Sequence, residues 1–195
     1  LYAAMEQPAR VLTVPLPGFD SLSVHELTGA DGGAPPNGGS FSWCAIHPWN
    51  GLLYTSAFGD GDDDSANIAD IFAFRHDQGS SKFVHVPAAS FKLAHPIRHV
   101  QGGTFTRNGR LILTTHDPAA LHVYCSLNGF YHGAAEIEEH AGGLESEEVE
   151  GLTVWGGITY TEGPTQVHVI LLDNDALDND DVWFKHYRVP DPEGL

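Results

Sequence analysis

The chain has 195 residues, 42% of them hydrophobic, which is enough apolar material for one domain with a substantial core and argues against disorder. Nine Lys and Arg against 26 Asp and Glu give a formal net charge of −17, a field that repels phosphate backbones and anionic lipid, so neither nucleic acid nor a membrane surface is an expected partner. The longest apolar run, "TQVHVILLDND", is interrupted by His168 and stopped by Asp173, well short of the roughly eighteen residues a membrane-crossing helix needs.

In chain order, the first forty residues supply three short strand-like pieces, "LYAAME", "RVLTVPL" and "SLSVHEL". The chain opens on Leu1 without a Met and carries no signal or transit peptide, so either a leader has been removed or the sequence is a piece of a longer one. Three segments of one outline follow: "FSWCAIHPWNGLLYTSAF" from Phe41, "VQGGTFTRNGRLILTT" from Val100, and "VEGLTVWGGITYTEGPTQVHVILLDND" from Val149. Each starts with a short apolar segment, turns and continues as a β-rich run. The first two turn at Asn50-Gly51 and Asn108-Gly109, the strongest short hairpin signal, because both residues tolerate positive φ.

Further strands fill each unit: "DIFAFRH" and "KFVHVPAASF" in the first, "ALHVYCSL" and "GFYHGAAEIEE" in the second, "DVWFKHYRV" in the third. Helical periodicity is weak throughout, and Gly, Pro, Asn and Asp punctuate the chain at short intervals. The reading is all-β, about fourteen strands in one domain over residues 1–195. Unit starts 59 and then 49 residues apart sit a little above the spacing of common propeller blades, so a β-propeller of four-stranded antiparallel blades is expected, with a β-sandwich as the alternative. If "LYAAME" closes the last blade as its outer strand, the ring has three full blades and two strands, below the usual four. Either N-terminal blades are missing, or a second copy or second chain covers the open edges.

Two cysteines, Cys44 and Cys125, fit no metal spacing and fall in different units; buried free thiols are expected.

The segments "FSWCAIHPWNGLLYTSAF", "HVQGGTFTRNGRLILTT" and "EVEGLTVW" resemble the innermost strands of bacterial secreted or periplasmic β-propeller proteins of the phytase-like and SdiA-regulated type. The resemblance covers Phe41 to Val189. It implies export, and a V-[QE]-G or E-G-[LI] element that brings a polar side chain and nearby carbonyls to a central channel, often around a calcium ion. With only nine Lys and Arg, the basic clusters that phytase chemistry would need are not recognisable.

Aligned on those strands, Ser42, Gln101 and Glu150 are equivalent and would converge on one axis. Oxygen ligands from Glu150, Gln101 and the nearby Glu148 suit Ca²⁺, which takes six to eight hard oxygens. A hydrated channel with Glu150 paired to His99 is the plainer reading. Two acidic runs, "GDGDDDSANIAD" and "LLDNDALDNDD", lack the Gly and Glu of an EF-hand loop and read as surface turns.

Twelve histidines include His47, His95, His99, His116 and His132 near expected strand ends. His47, His99 and Glu150 are the acid/base candidates for an enzyme, although no HExxH or G-x-S-x-G accompanies them. Trp49, in the turn "HPWNG", is the aromatic most available to stack on a sugar ring, with Ser42 beside the channel as a second ligand contact; Trp155 and Trp183 are expected in the core. Two functional classes stand: a non-catalytic binding or scaffold module with an axial calcium, taking a small-molecule or glycan ligand, and a hydrolase or lyase acting on a small or carbohydrate-like substrate at the channel mouth.

Overall fold

The computed structural model describes residues 2–5, 9–15, 18, 20–59, 68–116, 118–126, 128–137, 147–155, 165–173 and 182–189. Within them the protein is all-β. Its strands are β1 (Tyr2–Met5), β2 (Arg10–Thr13), β3 (Ser23–Thr28), β4 (Ala45–Ile46), β5 (Leu53–Thr55), β6 (Ile68–Asp77), β7 (Lys82–His85), β8 (Phe91–Ile97), β9 (Val100–Phe105), β10 (Arg110–Thr115), β11 (Ala120–Cys125), β12 (Tyr131–Glu136), β13 (Glu147–Trp155), β14 (Thr165–Asp173) and β15 (Val182–Val189). The two Asn-Gly turns fall where the sequence puts them, with Gly51 at φ 67° and Gly109 at φ 75°.

The strands form three sheets. In the first, β4 to β7 make an antiparallel meander, β3 adds to β7 in parallel, and β1 and β2 continue the edge. The second is the four-stranded meander β9 to β12, and the third is the three-stranded meander β13 to β15. "LYAAME" therefore does not close the last sheet: Tyr2–Met5 pairs with Arg10–Thr13, because a short connection makes the adjacent antiparallel partner the nearest one. The segment "FKLAHPI" is a strand that sequence reasoning passed over; Pro96 and two polar residues break its alternation, and β8 pairs only with the first part of β6.

Alternation along each strand divides the core into successive layers. Val11, Leu27, Phe41, Leu53, Phe74 and Phe83 fill the space where the first sheet curls over itself. On its other face Tyr54, Ile71 and Ala73 meet Trp43, Leu93 and Ile97 together with Val100, Phe105, Leu111, Leu113 and Tyr124 of the second sheet. Ile112 and Leu121 point the opposite way and meet Val149, Val167, Val169 and Leu171 of the third. Both faces of β10 and β11 are thus buried, with Leu111, Ile112 and Leu113 each fully inaccessible, while the edge strand β12 stays largely exposed.

Two glycines let the first strands of the units approach. A Cβ on Gly103 would lie 2.4 Å from the ring of Trp43, and one on Gly102 would lie 3.0 Å from Cβ of Leu152. Backbone of β9 therefore packs against the start of the first unit on one side and against β13 on the other. Trp43 is buried and held by an indole N–H bond to Ser56 Oγ at 2.8 Å.

Candidate functional site

The V-Q-G and V-E-G sequences are the same structural device. In β9, Val100 faces Thr115 and Gly102 faces Thr114, leaving Gln101 as the extra residue of a β-bulge. In β13, Val149 faces Leu171 and Gly151 faces Ile170, leaving Glu150 as the extra residue of another. A bulge takes a side chain out of the ladder and re-aims it, and these two sit on neighbouring strands. Ser42 joins them: its Oγ donates to the carbonyl of Val100 at 2.6 Å, immediately before Gln101. Of the three aligned residues, Gln101 and Glu150 thus lie on neighbouring strands, Gln101 half-buried and Glu150 exposed, whereas Ser42 lies in a bend ahead of β4.

Glu148 stands apart from that row. It faces Leu172, which faces Val182, so it lies on the outer face of the third sheet. Among the described residues no group of three or more His, Cys, Asp or Glu is gathered as a metal cage. The donor set at the bulges is one carboxylate, one amide, one hydroxyl and backbone carbonyls, which is hard-oxygen chemistry of the kind calcium takes. Residues 60–67 and 174–181, which carry most of the two Asp-rich runs, and Asp117 lie outside the described residues.

At another position, turns from two units meet around His47. The His47 carbonyl accepts the Gly51 N–H at 3.0 Å and its own N–H donates to Leu52 O at 2.9 Å, closing the turn. The Trp49 N–H donates to Nδ1 of His47 at 3.2 Å, so Nδ1 carries no proton. Nε2 must then be the protonated nitrogen, and it donates to Ser126 Oγ at 3.0 Å. Phe105 sits edge-on at 4.8 Å from the ring, and burial holds the His47 pKa below its ordinary value. Both nitrogens are engaged and His47 is 3% exposed, so this imidazole serves as a neutral pin between the 47–52 turn and Ser126 at the end of β11.

Trp49, by contrast, is 61% exposed and still fixed at three points. Its indole N–H donates to Arg107 O at 3.0 Å, its ring lies over the Asn108-Gly109 turn, and its backbone is held by His47. A Cβ on Gly109 would come within 3.1 Å of that ring. Sequence reasoning identified the exposure; the indole contact with the next unit's turn carried no signal, because it depends on how the two hairpins stack.

His99 lies at the mouth of β9 in the left-handed region, φ 53°, stacked on Phe58 with ring centroids 5.5 Å apart. Its N–H donates to Gly59 O at 3.1 Å and its carbonyl accepts the His116 N–H at 3.0 Å, so His99 and His116 are neighbours. His95 belongs to β8 rather than to a loop, stacked on Tyr131 at 4.5 Å. Beside it His122 is 8% exposed, and burial, with a smaller contribution from His95, pushes its pKa down to about 4. Thr115 Oγ1 donates to Pro118 O and so accepts from Nε2 of His122 at 3.2 Å, while Nδ1 accepts from the Tyr131 hydroxyl at 3.4 Å. Trp183, expected in the core, is 38% exposed on the third sheet's last strand.

No family model and no curated relative matches the chain. Among solved structures, Hsv2 of Kluyvelomyces marxianus aligns with a TM-score of 0.41 at 10% identity, over 95% of this chain and 58% of that one. A KlHsv2 variant with loop 6CD replaced by a Gly-Ser linker aligns with a TM-score of 0.42 at 10% identity, over 96% and 58%. The chain thus spans 58% of the length of each of these solved chains.

Proposed function

We propose that the chain is a section of a β-propeller acting as a non-catalytic binding module, with the Trp49 turn as its ligand contact. The observation that carries this reading is an indole 61% exposed yet held by its N–H bond to Arg107 O, on a backbone whose own N–H is bonded to His47. A large aromatic face held rigid in water loses little entropy when a flat apolar surface stacks on it, and the apolar face of a pyranose ring is such a surface. The state of His47 weighs against the hydrolase reading, because a general base needs a lone pair that is not already bonded. Trp49→Ala is expected to abolish retention on immobilised glycans and ligand quenching of tryptophan fluorescence, with the fold intact by circular dichroism. Equal retention by wild type and variant would overturn the assignment.

A second reading is favoured by the paired bulges. Gln101, Glu150 and Ser42, with adjacent carbonyls, would hold a calcium ion on the propeller axis, supplying charge neutralisation and cross-linking of first strands rather than chemistry. Calcium added to chelator-treated protein is expected to raise the melting temperature, and Glu150→Gln is expected to remove that response. An unchanged melt with and without calcium would eliminate this site.

A further inference from the structure

Successive side chains of a strand point to opposite faces, so the register of the third sheet sorts its residues into two sets. Val149, Val167, Val169 and Leu171 are buried against the second sheet. On the opposite face one row across the three strands reads Thr153, His168 and His186. His168 of β14 and His186 of β15 are direct cross-strand partners, with ring centroids 4.3 Å apart and planes inclined by 32°. His168 is half-buried and His186 exposed, so the pair is reachable from water. The ring contact between His25 and His76 differs: it is edge-on at 5.0 Å, and the His25 nitrogens bond Thr13 Oγ1 and Ser81 O.

Neutral imidazole is the side chain most used to hold late first-row metal ions. Each metal–nitrogen bond is about 2 Å long, so two nitrogens on one ion lie about 3 Å apart. Rings facing one another at 4.3 Å come to that separation by turning about χ2, a soft torsion in histidine, while the paired backbone stays in place. Copper(II) binds nitrogen ligands most tightly among the divalent ions of that row, and two imidazoles with two waters complete its square. Thr153, next to His168 in the row, offers a hydroxyl to a metal-bound water. Arg188, two positions beyond His186, opposes a cation locally, whereas the net charge of −17 favours one over the molecule as a whole.

We propose that His168 and His186 form a two-imidazole site for a late first-row divalent cation, copper(II) by preference, which ties the edge strand β15 to β14. The site is independent of the Trp49 turn, and its nitrogen ligands select a different class of ion from the hard oxygens at the Gln101 and Glu150 bulges.

Copper(II) added to the 195-residue chain in a non-coordinating buffer near neutral pH tests it. The first equivalent is expected to bind with a micromolar dissociation constant, and its electron paramagnetic resonance spectrum to show two ring nitrogens on the ion. His168→Ala and His186→Ala are each expected to weaken that binding about tenfold or more, and the double variant to lose little beyond either single one, because both rings hold one ion. His132→Ala is expected to leave the first equivalent unchanged, as is excess calcium, which does not compete for imidazole. Should His168→Ala fail to fold, the exposed His186 and the spectrum decide the matter. Unchanged affinity in His186→Ala, a spectrum with a single nitrogen, or losses that add across the two variants overturns the proposal.

Discussion

At the scale of single residues, buried histidines set the response to acid. The His122 pKa falls to about 4 because burial penalises the imidazolium, and burial lowers His47 and His85 in the same direction. In the unfolded chain each returns to about 6.5, so as pH drops the unfolded state takes up protons first. Stability is therefore intact above about pH 6.5, is lost as pH falls from there toward 4, and levels off below the folded value. For His122 alone the loss is on the order of 3 kcal/mol. Urea melts at pH 7 and pH 4.5 are expected to differ by about that much, and His122→Asn to flatten the difference; an equally steep pH dependence in the variant would refute the assignment. Gly103 provides a steric prediction at the same scale. Its missing Cβ leaves room for Trp43, which cannot withdraw while bonded to Ser56, so Gly103→Ala is expected to cost about 1–3 kcal/mol in a thermal melt. The exposure of Trp49 was legible in the sequence because a tryptophan between Pro48 and Asn50 in a tight turn has little core to enter. The neutral state of His47 was not, since it rests on Ser126, 79 positions away in the chain.

At the scale of elements, the informative feature is a repeat whose meaning lies in its partner strand. V-Q-G and V-E-G could be matched by eye, yet a bulge is a mismatch between two strands and has no signature in one of them alone. The same reasoning predicts how the strand tolerates deletions. Removing Glu150 leaves Val149 facing Leu171 and Gly151 facing Ile170, so every other side chain keeps its face. That variant is expected to fold, with stability changed by about 1 kcal/mol or less. Removing Leu152 instead shifts one side of the strand by a residue and turns Val149 out of the core or Val154 out of its place, so cooperative unfolding is expected to be lost or shifted by several kcal/mol. Parallel thermal melts of the two deletions check this, and equal damage from both would show that Glu150 is part of the regular ladder. Strand β8 was illegible for a different reason. It borrows its hydrogen bonds from only part of β6, so it needs no clean alternation.

At the scale of the whole molecule, the all-β class and the repeated units followed from turn chemistry and spacing, while the order of the layers did not, because stacking is set by long-range burial. Strands β10 and β11 of the second sheet, buried on both faces, are the part most isolated from water. Amide hydrogen exchange is expected to be slowest in β10 and β11 and fastest in β15, whose Val182 and Phe184 face outward. Exchange in β15 as slow as in β10 would mean that its outer face is covered in solution. At the other end of the molecule, Cys44 packs against the layer enclosed by the curl of the first sheet, and burial pushes its thiol up to about 12. At neutral pH only about one such thiol in 10⁵ is ionised, and the thiolate is the reactive form. Although Cys44 is only half-buried, an alkylating reagent then reacts with it far faster whenever the curled strands lift away and its thiol returns to its ordinary range. The modification rate of this one sulfur becomes a clock for that opening, measurable by mass spectrometry without unfolding the rest of the chain.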